Sequence, residues 1–267
     1  MHCEPSSIVV GDRPGWPACL QRASAEPSAL VLHLHGGAFT EGVPPCGCAV
    51  AALLADAGAT VVSLDYPLAP EHPFPAPVEA AYSALAWMAR HRRRLGAPHA
   101  PLVVAGEEAG GNLGAAVALM ARDRAGPALD AQILLSPMLD TCVATASARR
   151  AHAGPVGCRW ADGWRRYLAQ ACDALHPYAA PGASLRLAGL PRTLLVTSVD
   201  DLLCDETRAY AGRLRDAGVP VQESVLPLAT GWPASYRHDT AAAPAWAQPL
   251  TDHLRRFIAS LEKRTFA

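Results

Sequence analysis

Lysine is nearly missing from this chain. Lys263 is the only one among 23 Lys and Arg, and 24 Asp and Glu bring the formal net charge to -1. The one basic run, His91-Arg92-Arg93-Arg94, reads as the exposed end of a helix. Nucleic acid and acidic membranes both require clustered positive charge, so neither is expected as a partner. Long apolar runs are also lacking. Gly, Pro or charge interrupts each one before it could span a bilayer. The opening Met1-His2-Cys3-Glu4-Pro5 shows no basic stretch followed by an apolar one, and the expected location is cytoplasmic. Eight cysteines are scattered with no C-x-x-C pair. Cys46 and Cys48 form only a C-x-C, so reduced thiols are expected. Aromatic residues are sparse at 6% and charged residues make up 18%, yet 51% of the chain is hydrophobic, which excludes a disordered chain. No repeat, low-complexity tract or linker is present. A chain of 267 residues can bury roughly three quarters of its unfolded surface without a metal or disulfide staple.

Short apolar runs alternate with longer helical patterns. Segments 7–12 and 18–22 read as an opening hairpin, and 29–34, 60–65, 102–105, 131–135, 193–197 and 221–226 as strands. Helices are predicted over 49–57, 77–95 and 111–122. A last helix carries Trp246, Leu250, Leu254, Phe257 and Leu261 on one stripe. This alternation implies βαβ crossovers, hence an α/β fold with a mostly parallel sheet and helices on both faces. One domain over residues 1–267 is expected. A lid insertion at about 138–190 would include a helical piece over 162–172.

Four segments carry chemistry. His35-Gly36-Gly37-Ala38-Phe39 follows the first parallel strand, and Asp65-Tyr66-Pro67-Leu68-Ala69-Pro70-Glu71-His72-Pro73-Phe74-Pro75-Ala76 follows the next. Gly106-Glu107-Glu108-Ala109-Gly110-Gly111-Asn112-Leu113 lies at a strand–turn–helix junction, and Asp201-Leu202-Leu203-Cys204-Asp205-Glu206 after a late strand. In order and spacing these resemble the hormone-sensitive-lipase-like esterases of the α/β-hydrolase fold, from about residue 29 onward. The resemblance implies a nucleophile elbow at Gly106–Gly110 and an oxyanion hole from the N–H groups of Gly36, Gly37 and Ala109. It places the catalytic acid at Asp201.

The sequence departs from that pattern at two positions. Glu108 stands where the family's Gly-x-Ser-x-Gly elbow has its Ser, and Thr230 of Thr230-Gly231-Trp232 stands where the family has His. An acyl-enzyme route needs both groups. The candidate catalytic set is therefore Glu108, Asp201 and Thr230, and His238 is a His that could fold back to the site. Three readings of Glu108 compete. The favoured one is a general acid or base beside the oxyanion hole, in a cyclisation, isomerisation or elimination of specialised metabolism. The others are a nucleophile toward carbon and a pocket that only binds. A charge kept at the elbow costs several kcal/mol to desolvate unless paired, and a salt bridge to Arg159 or Arg165 fits any of the three. Phe39, Trp164, Tyr167 and Trp232 are candidate substrate contacts, with Trp160 a further lid aromatic. They suggest a medium-sized, largely apolar small molecule with a carbonyl. No cofactor and no metal are expected: His33 and His35 share a strand face, but as a core residue and a loop anchor. A homodimer is implied by resemblance only.

Overall fold

In the computed structural model of the chain, residues 5–12, 15–23, 26–42, 45–154, 156–237 and 243–262 are described. β1 (Ser6–Val10) and β2 (Trp16–Gln21) form the opening antiparallel hairpin, and β2 joins β4 (Ala59–Leu64) antiparallel. Every later pairing is parallel, through β3 (Ala29–Leu34), β5 (Leu102–Glu107), β6 (Ala131–Leu135), β7 (Arg192–Ser198) and β8 (Val221–Leu226). The eight strands lie in the order β1-β2-β4-β3-β5-β6-β7-β8. Central parallel strands are covered on both faces, which is why their sequences read as nearly unbroken apolar runs. In β3, Leu30, Leu32 and Leu34 pack on one side with α2 (Ala76–Arg90) and α3 (Ala109–Asp123). Val31 packs on the other side with α1 (Ala49–Asp56) and α7 (Ala247–Glu262). Leu250, Leu254, Phe257 and Leu261 of α7 are all buried, as their spacing predicted.

Several boundaries differ from the sequence reading, most clearly in three helices. The second helix ends at Arg90, because His91 caps it and turns its imidazole Nδ1–H back onto the Trp87 carbonyl at 2.8 Å. The elbow helix starts at Ala109, directly after the turn. The lid helix, α5 (Arg159–Tyr167), begins and ends earlier than expected, with the Cys158 thiol accepting from Ala161 N–H at its start. A short helix not foreseen, α4 (Ala146–Arg150), is capped by the Thr145 hydroxyl, which accepts from Ala148 N–H. α6 (Cys204–Asp216) packs against α3 through Tyr210, Ala211 and Leu214. No helix among the described residues is long and apolar enough to cross a membrane.

The expectation of reduced thiols is corrected at one place. Cys19 on β2 and Cys46, in the short turn before α1, form a disulfide with a Cα–Cα distance of 5.2 Å. Sequence spacing gave no hint of it, since the two residues are 27 apart and meet only where β2 packs beside the turn before α1. A crosslink closing a loop of that length contributes about 3.5 kcal/mol in the chain-entropy account. Cys46→Ser is expected to lower the unfolding free energy by up to that amount, matching the effect of dithiothreitol on the wild type in urea titrations. If thiol titration of denatured, unreduced protein finds no fewer thiols than after reduction, the crosslink is absent.

Candidate functional site

The parallel strands deliver their carboxyl ends to one edge of the sheet. There the loop after β3, the turn after β5 and the segments after β6 and β7 come together. Glu108 sits between β5 and α3 with φ 53° and ψ -117°, a conformation that costs a non-glycine residue about 1–3 kcal/mol. It is held there by backbone bonds: its N–H donates to Leu135 O at 3.0 Å, and its carbonyl accepts from Asn112 N–H at 3.2 Å and Met138 N–H at 2.9 Å. The turn is tight enough that a Cβ on Gly106 would overlap the Gly110 backbone, and one on Gly110 would overlap the Leu34 carbonyl.

The Glu108 side chain is 1% exposed and its carboxylate is fully engaged. Oε2 accepts from Gly37 N–H at 2.5 Å and Ala38 N–H at 3.4 Å, and Oε1 accepts from the Trp160 indole N–H at 2.7 Å. Positive φ angles at Gly37, Ala38 and Phe39 turn the two successive amides toward one point, the geometry of an anion-binding nest. Burial pushes the Glu108 carboxyl above its ordinary range, and the charge of Arg159 and these hydrogen bonds pull against that shift. Arg159 is therefore a through-space neighbour of Glu108, and its closest ion pair is with Glu41 at 3.7 Å. Arg165 pairs with Asp162 on its own helix instead.

The other sequence candidates fall into place differently. Gly36 N–H does not point to the cradle. It donates to Glu107 Oε1 at 3.0 Å, and Ala38, which the sequence reading passed over, is the second donor beside Gly37. Ala109 opens α3 immediately after Glu108. Asp201 and Thr230 do not pair. The Asp201 carboxylate accepts from Ser136 Oγ at 2.5 Å, Thr197 Oγ1 at 2.6 Å and Leu203 N–H at 2.9 Å, and burial raises its pKa. Thr230 turns to Asp200 instead. Its N–H lies 2.9 and 3.0 Å from the two Asp200 oxygens, and its hydroxyl is 2.6 Å from Ser198 Oγ. Burial works upward on Asp200, but the Thr230 and Gly231 amides hold its carboxyl below the usual range. His238 lies outside the described residues.

The expected substrate contacts are packing residues. Phe39 stacks on Tyr167 at 4.0 Å and leans on Trp164 at 5.0 Å, and all three are buried. Trp232 belongs to the opposite core, stacked on Tyr236 and edge-on to Trp246. Large aromatics next to a site fill space, and here they do so against one another. Trp160 is the lid aromatic that reaches the elbow. A cavity of about 500 Å³ lies elsewhere, between the segment after β6 and α6, walled by Leu139, Asp140, Thr145, Ala183, Glu206 and Tyr210.

One buried group could hold a metal ion by its donor types: His33, Cys48 and Glu107, whose ligand atoms lie within 4.8 Å of one another. They already satisfy each other. His33 Nε2–H donates to Glu107 Oε2 at 2.8 Å, the Cys48 thiol donates to Oε1 at 3.7 Å, and Ser63 Oγ holds His33 Nδ1. Burial draws the His33 imidazole down, but Glu107 more than reverses this and raises it to about 10. His35 takes no part in this group. It stacks on Tyr66 and directs Nδ1 to the Gly36 carbonyl.

Fold and elbow together define an α/β hydrolase, and residues 31–229 match the family model described as alpha/beta hydrolase fold. The chain belongs to this family, in its hormone-sensitive-lipase-like esterase branch. It is 38% identical over 221 residues to Esterase LipI of Mycobacterium tuberculosis, covering 80% of this chain and 67% of that protein. It is 34% identical over 197 residues to an arylesterase of Saccharolobus solfataricus, covering 72% of this chain and 64% of the relative. The chain thus spans about two thirds of these curated relatives. Among solved structures, esterase LipW from Mycobacterium marinum superposes with a TM-score of 0.83 at 32% identity, over 97% of this chain and 82% of that one. These names correct the acid–base reading drawn from Glu108: the relatives are esterases and arylesterases, which points to ester hydrolysis and away from a lyase, cyclase or isomerase of specialised metabolism.

The upward shift of Glu108 has a sign that can be measured. A carboxyl with a folded pKa above its unfolded value stabilises the fold at low pH and loses that contribution as pH rises through the folded value. The unfolding free energy of wild type minus that of Glu108→Gln is expected to be largest below the ordinary carboxyl range and to shrink as pH rises through the folded value. A difference that is flat or grows with pH contradicts the assignment.

Proposed function

We propose that this chain acts on carboxylic esters and releases the acid and the alcohol. One observation carries the reading: two successive amides, Gly37 and Ala38, converge on a single carboxylate oxygen above the elbow, where a developing ester oxyanion would need them. The esterase names of the relatives support the same chemistry. In this chain the nucleophile and imidazole positions of the family hold Glu108 and Thr230. Hydrolysis therefore passes through no acyl-serine at position 108: water adds to the ester carbonyl carbon, the bond to the alcohol oxygen breaks, and the proton that water gives up to solvent is matched by one the departing oxygen takes from it. The ester carbonyl must first replace the Glu108 carboxylate on the two amides, so turnover is slow.

The expected outcome is steady release of p-nitrophenol from p-nitrophenyl acetate and butyrate, linear from the first turnover and without a burst. The double variant Glu108→Ser with Thr230→His, which clears the cradle and restores a hydroxyl and an imidazole, is expected to raise the rate at least tenfold. No release above the buffer rate by the wild type, or retention of intact ester, overturns the reading.

A further inference from the structure

We infer that the lid and the loop after β3 form a binding site for a monocarboxylate, and that Glu108 occupies this site as an internal ligand which latches the lid shut. A carboxylate is an acceptor with two oxygens in a plane, and it is recognised by N–H donors that reach both. At Glu108 each oxygen is served by a different element. Gly37 and Ala38 hold Oε2 from the loop, and Trp160 holds Oε1 from the lid helix, 71, 70 and 52 residues away in sequence. Arg159 opens the same lid helix, one residue before Trp160. Arg159 supplies the attractive charge felt by Glu108, and its buried Nε has no hydrogen-bond partner among the described residues. All the donors lie outside the elbow, so they remain when the Glu108 side chain is taken away.

The same contacts fasten the lid. A Cβ on Gly163 of α5 would overlap the Ala38 carbonyl, so helix and loop backbones already touch. Phe39 and Tyr167 stack across the same seam. On the elbow side, a Cβ on Gly36 would lie 2.7 Å from Glu108 Oε2, leaving no space for a second ligand while Glu108 is seated. The class of external ligand follows from the donors and that confinement: a short-chain monocarboxylate, the kind of group an ester hydrolysis releases. The inference takes its ligand from the proposed function, but binding is read without turnover, so either can fail alone.

The test titrates sodium acetate into wild type and Glu108→Ala by calorimetry, with sodium chloride at matched ionic strength as the control. Glu108→Ala is expected to bind one acetate with at least tenfold higher affinity than the wild type, and adding Trp160→Phe is expected to weaken that binding about tenfold. Equal acetate affinities in wild type and Glu108→Ala, or indifference to Trp160→Phe, overturn the inference. A measurement that leaves Glu108 in place covers the case in which Glu108→Ala does not fold. Trp160→Phe in the otherwise native chain is expected to speed proteolysis within the lid several-fold, and an unchanged cleavage rate refutes the latch.

Discussion

A carboxylate taken out of water must find donors to replace its hydration shell, and for Glu108 they come from the loop after β3 and from the lid. That need governs the edge of the sheet. The loop must turn through positive φ at three successive residues to present Gly37 and Ala38 N–H together. The lid helix must sit directly on that loop for the Trp160 indole to reach the other oxygen. The strained backbone at Glu108 persists because its own N–H and carbonyl are tied into β6, the segment after it and α3. Any one of these features alone would be a cost, and together they close the site around a single charge.

The same device recurs through the molecule. Glu107 collects the Gly36 amide, Asp200 those of Thr230 and Gly231, and Asp201 that of Leu203. Glu206 takes the amides of Leu139 and Asp140 at 2.5 Å each, pinning the start of the lid segment to α6. Carboxylates that accept backbone N–H groups anchor loops, and Glu107 adds the His33 imidazole to its amide donor. Burial raises Glu108, Asp201 and Glu206, while the amides at the more open Asp200 lower it. The balance between desolvation and donors thus differs from acid to acid even though the geometry is alike.

Much of the fold was legible because its signals are local or periodic. Apolar runs such as 29–34 and 131–135 can only be strands covered on both faces, and the stripe from Leu250 to Leu261 can only be a helix lying on the sheet. Glycines at 106 and 110 marked the elbow through steric need. What stayed hidden depends on contacts between distant segments. Cys19 and Cys46 meet only because β2 docks beside the turn before α1. Trp232 was drawn toward the site by its neighbours in sequence, yet it turns into the core beneath α7. Gly36 gives its amide to Glu107, one residue before the elbow centre, a pairing that no local pattern announces. Ala38 escaped notice because a backbone donor carries no side-chain signature.

Those contacts also explain how Glu108 and Thr230 are accommodated where they stand. Asp201 is saturated by Ser136, Thr197 and Leu203, and Thr230 belongs to a separate group with Asp200 and Ser198. Glu108 is likewise met by donors in place of a base. Each residue has its own closed set of partners, with no hydrogen-bonded chain running from acid to elbow among the described residues. The features that still fit ester chemistry are the paired amides of the loop, which depend on backbone shape rather than on side-chain identity. Backbone shape is set by Gly37, the nest and the packing of α5. It is therefore the part of an esterase site that can outlast a change of the residues around it.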